Sequence, residues 1–270
     1  MPIWFTWLEG TPVYFPTWDD SRKEFALSAE VVSRYITPRT KVLILNNPWN
    51  PTGRVFNETE LSQLAAVCER HNLLVLLDQV YRSLVYEPNR YLSLARFLAE
   101  NTVVIDSFSK SFAMTGWRLG YAVCPNKKLA GAVAKVNQVT ARCATSFVQY
   151  GALAAYRKQV AKQEALRKMR AAYTDRRELL TSKLGSTEGL HFSIPEGAFY
   201  LYCNVAGSGL SSEEFAEELL EKWAVAVSAG SFFGPSGKDF IRLSFATGLD
   251  LLEIAADRLK NFLGQIRQAG

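Results

Sequence analysis

The sequence has few histidines and no paired cysteines, which excludes several kinds of site. Its two histidines are His71 and His191, and its four cysteines contain no Cys-x-x-Cys pair. Because neither histidine has a neighbour at metal-ligand spacing, we expect no metal site, and a histidine-based catalytic triad is equally disfavoured. Scattered, unpaired cysteines favour a reducing, cytoplasmic setting over a disulfide-stabilised one.

Long hydrophobic runs and phosphate-loop glycines are also missing. An uninterrupted apolar run such as 73–77 is far too short to cross a bilayer, and residues 1–10 lack the basic stretch and cleavage pattern of a signal peptide. The segment 234–238 resembles a Walker loop superficially, but Phe232 stands where its first glycine belongs and Asp239 replaces its hydroxyl residue. We therefore expect neither a membrane partner nor a nucleotide-phosphate loop of this type.

Basic residues outnumber acidic ones only slightly, 31 to 26, and the formal net charge is +5. The densest basic stretch, 157–177, interleaves its charges with Ala, Leu and Gln, as the solvated face of a helix does. We expect no nucleic-acid partner, because proteins that bind nucleic acid concentrate their basic residues into a patch. A mild positive excess suits a site for small anionic molecules.

Apolar strands alternate with helical segments through the first part of the chain. Strands that are apolar on both faces and separated by helices predict an α/β fold, with a mostly parallel sheet and helices on both faces. Thr59 is a plausible N-cap of one of these helices. The predicted strands are 11–16, 41–45, 73–78, 102–106 and 119–124, and the predicted helices are 29–36, 59–70 and 94–99.

The second part of the chain has a different character. The absence of Gly and Pro after Ala152 predicts one long helix over 148–184 that bridges two domains. Beyond it, a small α+β unit is expected, so we predict a large domain at 1–165 and a small C-terminal domain at 166–270. Its predicted elements are a turn into a strand at 192–202, strands at 225–227 and 240–245, a helix at 212–223 capped by Ser212, and a helix at 249–263.

Polar side chains cluster where the predicted parallel strands end. Asn50 follows one strand, Asp78 ends the next, and Ser107, Ser109 and Lys110 follow a third. Taken singly, these residues fit a turn former, a helix cap and a solvated loop. In a parallel sheet, however, the ligand lies beyond the carboxyl ends of the strands, and these side chains are expected to meet there.

Together these residue types fit the chemistry of pyridoxal phosphate. That cofactor needs a lysine for its Schiff base and a carboxylate that keeps its pyridine nitrogen protonated. It also needs hydrogen-bond donors for its phenolic oxygen, and hydroxyls with an arginine for its phosphate. A second arginine can clamp a substrate carboxylate with its planar fork.

Four motifs resemble the class I/II aminotransferases, which are pyridoxal phosphate enzymes of the aspartate aminotransferase fold. Their order and spacing match the family over essentially the whole chain. The motifs are Asn-Pro-Trp-Asn-Pro-Thr-Gly at 47–53, Asp-Gln-Val-Tyr at 78–81, Ser-Phe-Ser-Lys at 107–110 with Trp-Arg-Leu-Gly-Tyr at 117–121, and Phe-Ile-Arg-Leu-Ser-Phe at 240–245.

The resemblance implies a role for each matched residue. Lys110 would hold the cofactor as a Schiff base and then move the proton between the substrate Cα and the cofactor C4′ carbon. Asp78 would hold the pyridinium nitrogen, and Tyr81 with Asn50 would bond the phenolic oxygen. The remaining matches would bind anions: Ser107, Ser109 and Arg118 the cofactor phosphate, and Arg242, beside Asn50, the substrate α-carboxylate.

The resemblance also implies substrates, partners and a departure from the family. The substrates would be an amino acid and a 2-oxo acid, and the assembly a homodimer. The chain begins roughly where the second quarter of family members ends, so the large, cofactor-binding domain is expected to be N-terminally truncated. An amino-terminal arm, a phosphate-binding loop, a ring-stacking aromatic residue and two strands would be lacking, which predicts an uncovered apolar face.

Three interpretations of the function stay open at this point. The first is an aminotransferase that passes the amino group of an α-amino acid to a 2-oxo acid through pyridoxal phosphate on Lys110. A second keeps the cofactor in a β-lyase or a cyclic amino acid synthase, because the matched residues are shared by those activities. A third is a non-catalytic, truncated remnant.

Overall fold

A computed structural model describes residues 10–269 except 20 and 22, and every structural statement below concerns those residues. The prediction that the start of the chain is no signal peptide falls on residues 1–9, outside the described part. No helix in the described part combines the length and the apolar character that crossing a membrane requires.

The first sheet has four strands in the order β3-β4-β5-β6. Strand β3 pairs in parallel with β4, and β4 in parallel with β5, whereas β6 runs antiparallel to β5. The sheet is therefore mixed and mostly parallel, and its fold class is α/β as predicted. The strands are β3 (Val42–Asn46), β4 (Leu74–Asp78), β5 (Thr102–Ser107) and β6 (Gly120–Val123).

Helices α1 (Ala29–Tyr35) and α2 (Glu58–Arg70) pack against one face of this sheet, where leucines and valines of both layers form a closed core. The other face is exposed: Val42, Ile44 and Ile105 each keep about two-fifths of their surface accessible. Helices α1 and α2 thus cover one face of these strands, and the exposed face matches the uncovered apolar face that the family resemblance predicts.

The predicted strand at 11–16 does not form, because Pro12 and Pro16 remove backbone donors at both of its ends. A short hairpin lies just beyond it, β1 (Trp18–Asp19) paired antiparallel with β2 (Glu24–Phe25). Phe25 is buried against Trp18 and Phe240, so this hairpin is held by aromatic packing on the second half of the chain.

The predicted long helix over 148–184 is wrong, because two helices meet at Lys158. These are α5 (Ser146–Arg157) and α6 (Gln159–Leu184), and Lys158 between them has non-helical angles of φ −81° and ψ 69°. Helix α5 has its own packing partner: its Gly151 lies so close to the Trp117 ring that an added Cβ would come within 2.5 Å of it. Upstream, α4 (Lys127–Thr140) is exposed along its length.

The second sheet is antiparallel, with strand order β7-β8-β10-β9. It packs with α6, α7 (Ser212–Trp223) and α8 (Leu249–Ala269) around one core that includes Leu180, Leu201, Phe215 and Phe262. The strands are β7 (His191–Phe192), β8 (Tyr200–Asn204), β9 (Ser228–Ala229) and β10 (Phe240–Ser244). The short strand expected at 225–227 thus lies at 228–229.

Two predicted caps are each displaced by one or two residues. Asn57, not Thr59, caps α2, and Ser211, not Ser212, caps α7. Both form capping boxes. The cap side chain accepts a hydrogen bond from the backbone N–H of the third helical residue, which is a glutamate, and the side chain of that glutamate accepts from the backbone N–H of the cap. The predicted helix at 94–99 is a single 3₁₀ turn, Leu94–Arg96.

Arg54 joins the turn after β3 to the segment that leads into β8. Its Nη1 contacts Glu196 Oε2 at 2.6 Å, its Nη2 reaches Glu60 at 3.2 Å, and its Nε donates to the Phe25 carbonyl at 3.1 Å. Gly53 makes the close approach possible, because at its φ of +73° an added Cβ would lie 2.4 Å from Pro195. One side chain therefore ties four segments together.

Arg54→Met is expected to lower the free energy of unfolding by about 1–3 kcal/mol, because Glu196 then loses its charged partner in a partly buried place. Urea unfolding monitored by circular dichroism measures the change. The matched control is Arg167→Met, whose partner Glu164 lies on an exposed helix face and which should leave the free energy of unfolding nearly unchanged. If the two variants lost the same free energy of unfolding, the contacts of Arg54 would stabilise the fold no more than an exposed ion pair does.

Candidate active site

Lys110 lies one turn beyond the end of β5, on the short helix α3 (Phe108–Ser111). The side chain is half-buried, and its Nζ sits 5.3 Å from the centre of the Phe199 ring and 6.0 Å from that of Tyr81. Burial lowers the pKa of Lys110, and the positive charges of Arg118 and Arg242 lower it further. A lowered pKa increases the share of neutral amine, which is the form that attacks a carbonyl carbon.

Asp78 ends β4, the strand beside β5. Its Oδ1 accepts from the Val80 backbone N–H at 3.1 Å. Burial raises the pKa of Asp78, the Val80 hydrogen bond opposes that shift, and the nearby charge of Asp106 adds to it. A half-buried carboxylate with one local donor keeps an oxygen free to hold a proton on a ligand.

Asn50 and Arg242 meet across the two sheets. Arg242 Nη1 donates to Asn50 Oδ1 at 2.9 Å, and its Nη2 donates to Ser228 Oγ at 3.0 Å. The Asn50 backbone N–H is held by Asn46 Oδ1 at 2.6 Å, which fixes the turn. Among the described residues, the buried Nε of Arg242 has no hydrogen-bond partner. An unpaired buried guanidinium N–H is a place for an anionic ligand.

Tyr81 lies between these groups and is buried. Its hydroxyl is 2.9 Å from the hydroxyl of Tyr200. Burial raises the pKa of the Tyr81 phenol, and the charge of Asp78 raises it further, against an opposing effect of Arg242. The phenol is therefore neutral over the physiological range and can donate a hydrogen bond.

The residues predicted to bind phosphate lie on the turn around α3. Ser107 caps α3, with its Oγ accepting from the Ser109 N–H at 3.3 Å. Arg118 is exposed, adopts a left-handed conformation with φ 53°, and donates from Nη1 to the Thr115 carbonyl at 2.9 Å. An open groove of about 890 Å³ adjoins it, with Trp117 and Thr145 in its lining.

The structure thus links six of the predicted residues by contact or by charge: Asn50, Asp78, Tyr81, Lys110, Arg118 and Arg242. Ser107 and Ser109 lie beside Lys110 in sequence, at the start of α3. The sequence prediction missed Tyr200, Phe199 and Ser228, which contact Tyr81, Lys110 and Arg242 respectively. Alternating aromatic residues on β8 look like core, and only the polar tip of a buried tyrosine signals a further role. Ser228 carries no sequence signal.

A second buried group near Asp78 was also missed. Asp106, which is 2% exposed, pairs with Arg82 Nε at 2.5 Å and accepts from the Tyr121 hydroxyl at 2.9 Å. Its Oδ1 accepts from the Ser107 backbone N–H at 2.7 Å. The network fixes the start of the Lys110 turn, and Arg82 offsets the negative charge beside Asp78.

The side chains present fit pyridoxal phosphate. A half-buried lysine with lowered pKa, a carboxylate with a free oxygen and a neutral phenol match the aldehyde, the ring nitrogen and the phenolic oxygen of that molecule. The unpaired Nε of Arg242 matches a substrate carboxylate. The order of strand ends places the lysine, the carboxylate and the phenol at one sheet edge, where ligand sites in α/β sheets lie.

Fold and site together define an α/β protein of the aspartate aminotransferase type. The crystal structure of an aromatic aminotransferase from Pyrococcus horikoshii OT3 superimposes with a TM-score of 0.89 at 36% identity, covering 96% of this chain and 68% of that one. A solved aspartate aminotransferase from Thermus thermophilus, a double mutant, matches with a TM-score of 0.87 at 34% identity, covering 93% of this chain and 64% of that one.

The family model described as "Aminotransferase class I and II" matches residues 1–259, and the chain belongs to that family. It is 38% identical over 256 residues to an aspartate aminotransferase of Pyrococcus abyssi. It is also 38% identical over 256 residues to aromatic-amino-acid aminotransferase 2 of Thermococcus litoralis. Each match covers 94% of this chain, and the chain spans 64% of the length of these curated relatives.

Proposed function

We propose that this protein is an aminotransferase that moves the amino group of an α-amino acid to a 2-oxo acid, using pyridoxal phosphate held by Lys110. The observation that carries the proposal is the convergence of Lys110, Asp78 and Tyr81 at one edge of the first sheet, where Arg242 of the second sheet reaches Asn50. Family membership supports it, because relatives at 38% identity are named aspartate and aromatic aminotransferases.

Each residue around the cofactor would have a different role. When bound, pyridoxal phosphate supplies an aldehyde that takes up the amino group and a protonated ring that withdraws electrons. Asp78 would hold the proton on the ring nitrogen, and Tyr81 and Asn50 would donate to the phenolic oxygen. Lys110 Nζ would attach the cofactor and would move a proton at the substrate Cα.

Three further residues would bind the cofactor phosphate. Ser107 and Ser109 present hydroxyls at the start of α3, and Arg118 presents the cation, with two guanidinium nitrogens not used by its bond to Thr115. The positions of these side chains on one turn support the assignment, because hydroxyls and a planar fork together suit three phosphate oxygens.

Arg242 would clamp the α-carboxylate of the substrate. Its fork faces Asn50 and Ser228 and keeps Nε unpaired, so a carboxylate can accept from nitrogens that the protein leaves unused. Asn50 holds the guanidinium plane, which limits rotation of the long side chain before the substrate binds. This pre-ordering reduces the entropy lost on binding.

We propose the remaining features with the function. The large cofactor-binding part would be residues 1–165 and the small part 166–270, consistent with the two sheets. A homodimer is proposed because apolar residues such as Val123 and Tyr150 are exposed and family members are typically dimeric. A reducing, cytoplasmic setting is proposed because all four cysteines are free.

A two-acceptor assay tests the function. Purified protein is incubated with pyridoxal phosphate and an amino acid, first alone and then with a 2-oxo acid, and the products are quantified. We expect a single turnover of 2-oxo acid without the acceptor, sustained turnover with it, and no ammonia. Sustained release of ammonia without an acceptor would instead identify a lyase. Folded protein that makes neither product would support the non-catalytic interpretation.

A further inference from the structure

Two buried phenols meet beside Lys110. The hydroxyl oxygens of Tyr81 and Tyr200 are 2.9 Å apart, and their rings pack edge to face with centres 5.7 Å apart. Tyr81 is 5% exposed and Tyr200 7%, so water does not compete for the contact. The two residues are 119 positions apart in sequence, and the contact joins the end of β4 to β8.

The Tyr200 ring also carries a cation on its face. The guanidinium carbon of Arg242 lies 4.4 Å from the ring centre. A cation over an aromatic ring draws electron density from it, and a phenol polarised in this way is the better hydrogen-bond donor. Tyr81 has no such cation at this distance among the described residues; the cation nearest its ring is Lys110 Nζ, 6.0 Å from the centre.

The direction of the phenol–phenol bond decides what Tyr81 can do. Only one hydrogen lies between two hydroxyl oxygens, and each hydroxyl has a single hydrogen to give. If Tyr81 donated to Tyr200, it would have none left for a ligand in the site. If Tyr200 donates, the Tyr81 hydrogen is free to point toward the space that Lys110 faces.

We propose that Tyr200 is a positioning residue, whose hydroxyl donates to Tyr81 Oη and thereby turns the Tyr81 hydrogen toward the phenolic oxygen of bound pyridoxal phosphate. The proposal rests on the proposed function, because the ligand that benefits is that cofactor. Tyr200 would not contact the cofactor itself. It contacts both Tyr81, which would bond the cofactor, and Arg242, which would bind the substrate carboxylate.

Tyr200→Phe tests the proposal, because it keeps the ring and removes only the hydroxyl. The bound cofactor is titrated with pH by its visible absorption. Tyr81 stays in place but is no longer oriented and polarised by Tyr200, so its bond to the phenolic oxygen weakens and the pKa of the chromophore should rise, by at most the roughly one unit that a whole hydrogen bond implies. Tyr202→Phe is the matched control, because Tyr202 is equally buried on the same strand and its hydroxyl faces the Gly230 carbonyl. This variant should leave the chromophore pKa unchanged.

A double variant sharpens this titration. Tyr81→Phe should raise the chromophore pKa at least as much as Tyr200→Phe, and the double variant should match Tyr81→Phe alone, since Tyr200 acts through Tyr81. A wild-type pKa in Tyr200→Phe, or additive shifts in the double variant, would overturn the proposal.

A second measurement needs no cofactor and separates this proposal from the proposed function. In ligand-free protein labelled with ¹³C at tyrosine Cζ, Tyr200→Phe should move the Tyr81 signal downfield, because Tyr81 stops accepting a hydrogen bond. An upfield move would show that Tyr81 was the donor and would refute the proposal, even if the protein binds no pyridoxal phosphate.

The reciprocal variant covers the case in which Tyr200→Phe fails to fold. In Tyr81→Phe, the Tyr200 Cζ signal should move upfield, because Tyr200 loses the acceptor of its hydrogen. An unchanged or downfield Tyr200 signal would refute the assigned direction. Thermal unfolding followed by near-ultraviolet circular dichroism confirms that each variant compared is folded.

Discussion

Lys110→Ala is expected to lower kcat/KM for amino transfer by at least about 10⁴-fold, because one side chain is lost from two steps. General acid–base catalysis alone contributes about 10²–10⁴-fold, and the covalent attachment of the cofactor adds to it. The structure gives Lys110 a lowered pKa through burial and two neighbouring arginines, so no other described lysine is equivalent to it at this edge. Coupled assays of 2-oxo acid formation measure the loss.

The control for this variant is Lys222→Ala on α7, a surface lysine paired with Glu218. It removes the same charge and should leave kcat/KM unchanged. Lys110→Arg should be nearly as inactive as Lys110→Ala, since a guanidinium neither attacks a carbonyl carbon nor gives up its proton. A Lys110→Arg variant with wild-type kcat/KM would mean that Lys110 contributes only charge.

Arg242→Ala is expected to cost about 10²–10⁴-fold in kcat/KM for an amino acid substrate. Two charge-assisted hydrogen bonds to a carboxylate are lost, each worth about 1.5–3 kcal/mol, and about 1.4 kcal/mol corresponds to tenfold. Arg242→Lys keeps the charge but not the planar fork and should recover only part of the loss. Steady-state kinetics on the three proteins give the series.

An amine substrate that lacks the carboxylate distinguishes loss of carboxylate binding from structural damage to the active site. The slow turnover of such an amine should fall much less in Arg242→Ala than turnover of the amino acid, because only the smaller effects of Arg242 on Tyr200 and on the pKa of Lys110 are then lost. Arg167→Ala, on the exposed face of α6, is the charge-matched control and should behave as wild type. Equal losses for both substrates would show that Arg242 supports Asn50 and Tyr200 instead of binding substrate.

The gathering of Asn50, Asp78 and Lys110 at one edge could be predicted from the sequence, because apolar strands separated by helices pair in parallel and end on the same side. The prediction depends on strand periodicity, which each segment carries within itself. The two parallel pairings that bring β3, β4 and β5 together bear out the sheet. The roles of the residues stay predictions until the variants are measured.

Features decided by contacts between distant segments could not be predicted in this way. The break at Lys158 has no Gly or Pro to mark it, and it reflects the packing of α5 and α6 on different neighbours. The contact of Tyr200 with Tyr81 joins β8 to the turn after β4. Alternating aromatic residues on β8 look the same in the sequence whether they fill a core or line a site. The cap of α2 can be predicted from the sequence, since Asn57 and Glu60 have capping-box spacing, although the prediction at Thr59 lies two residues beyond the observed cap.

Borohydride trapping tests the central claim most directly. Folded protein is mixed with pyridoxal phosphate, reduced, digested and mapped by mass spectrometry, with Lys110→Ala treated in parallel. We expect one phosphopyridoxyl group per chain on the peptide that contains Lys110, and none at any site in the variant. A folded wild-type protein that carries no adduct, or carries it equally on surface lysines such as Lys222, would contradict the assignment of this edge as a pyridoxal phosphate site.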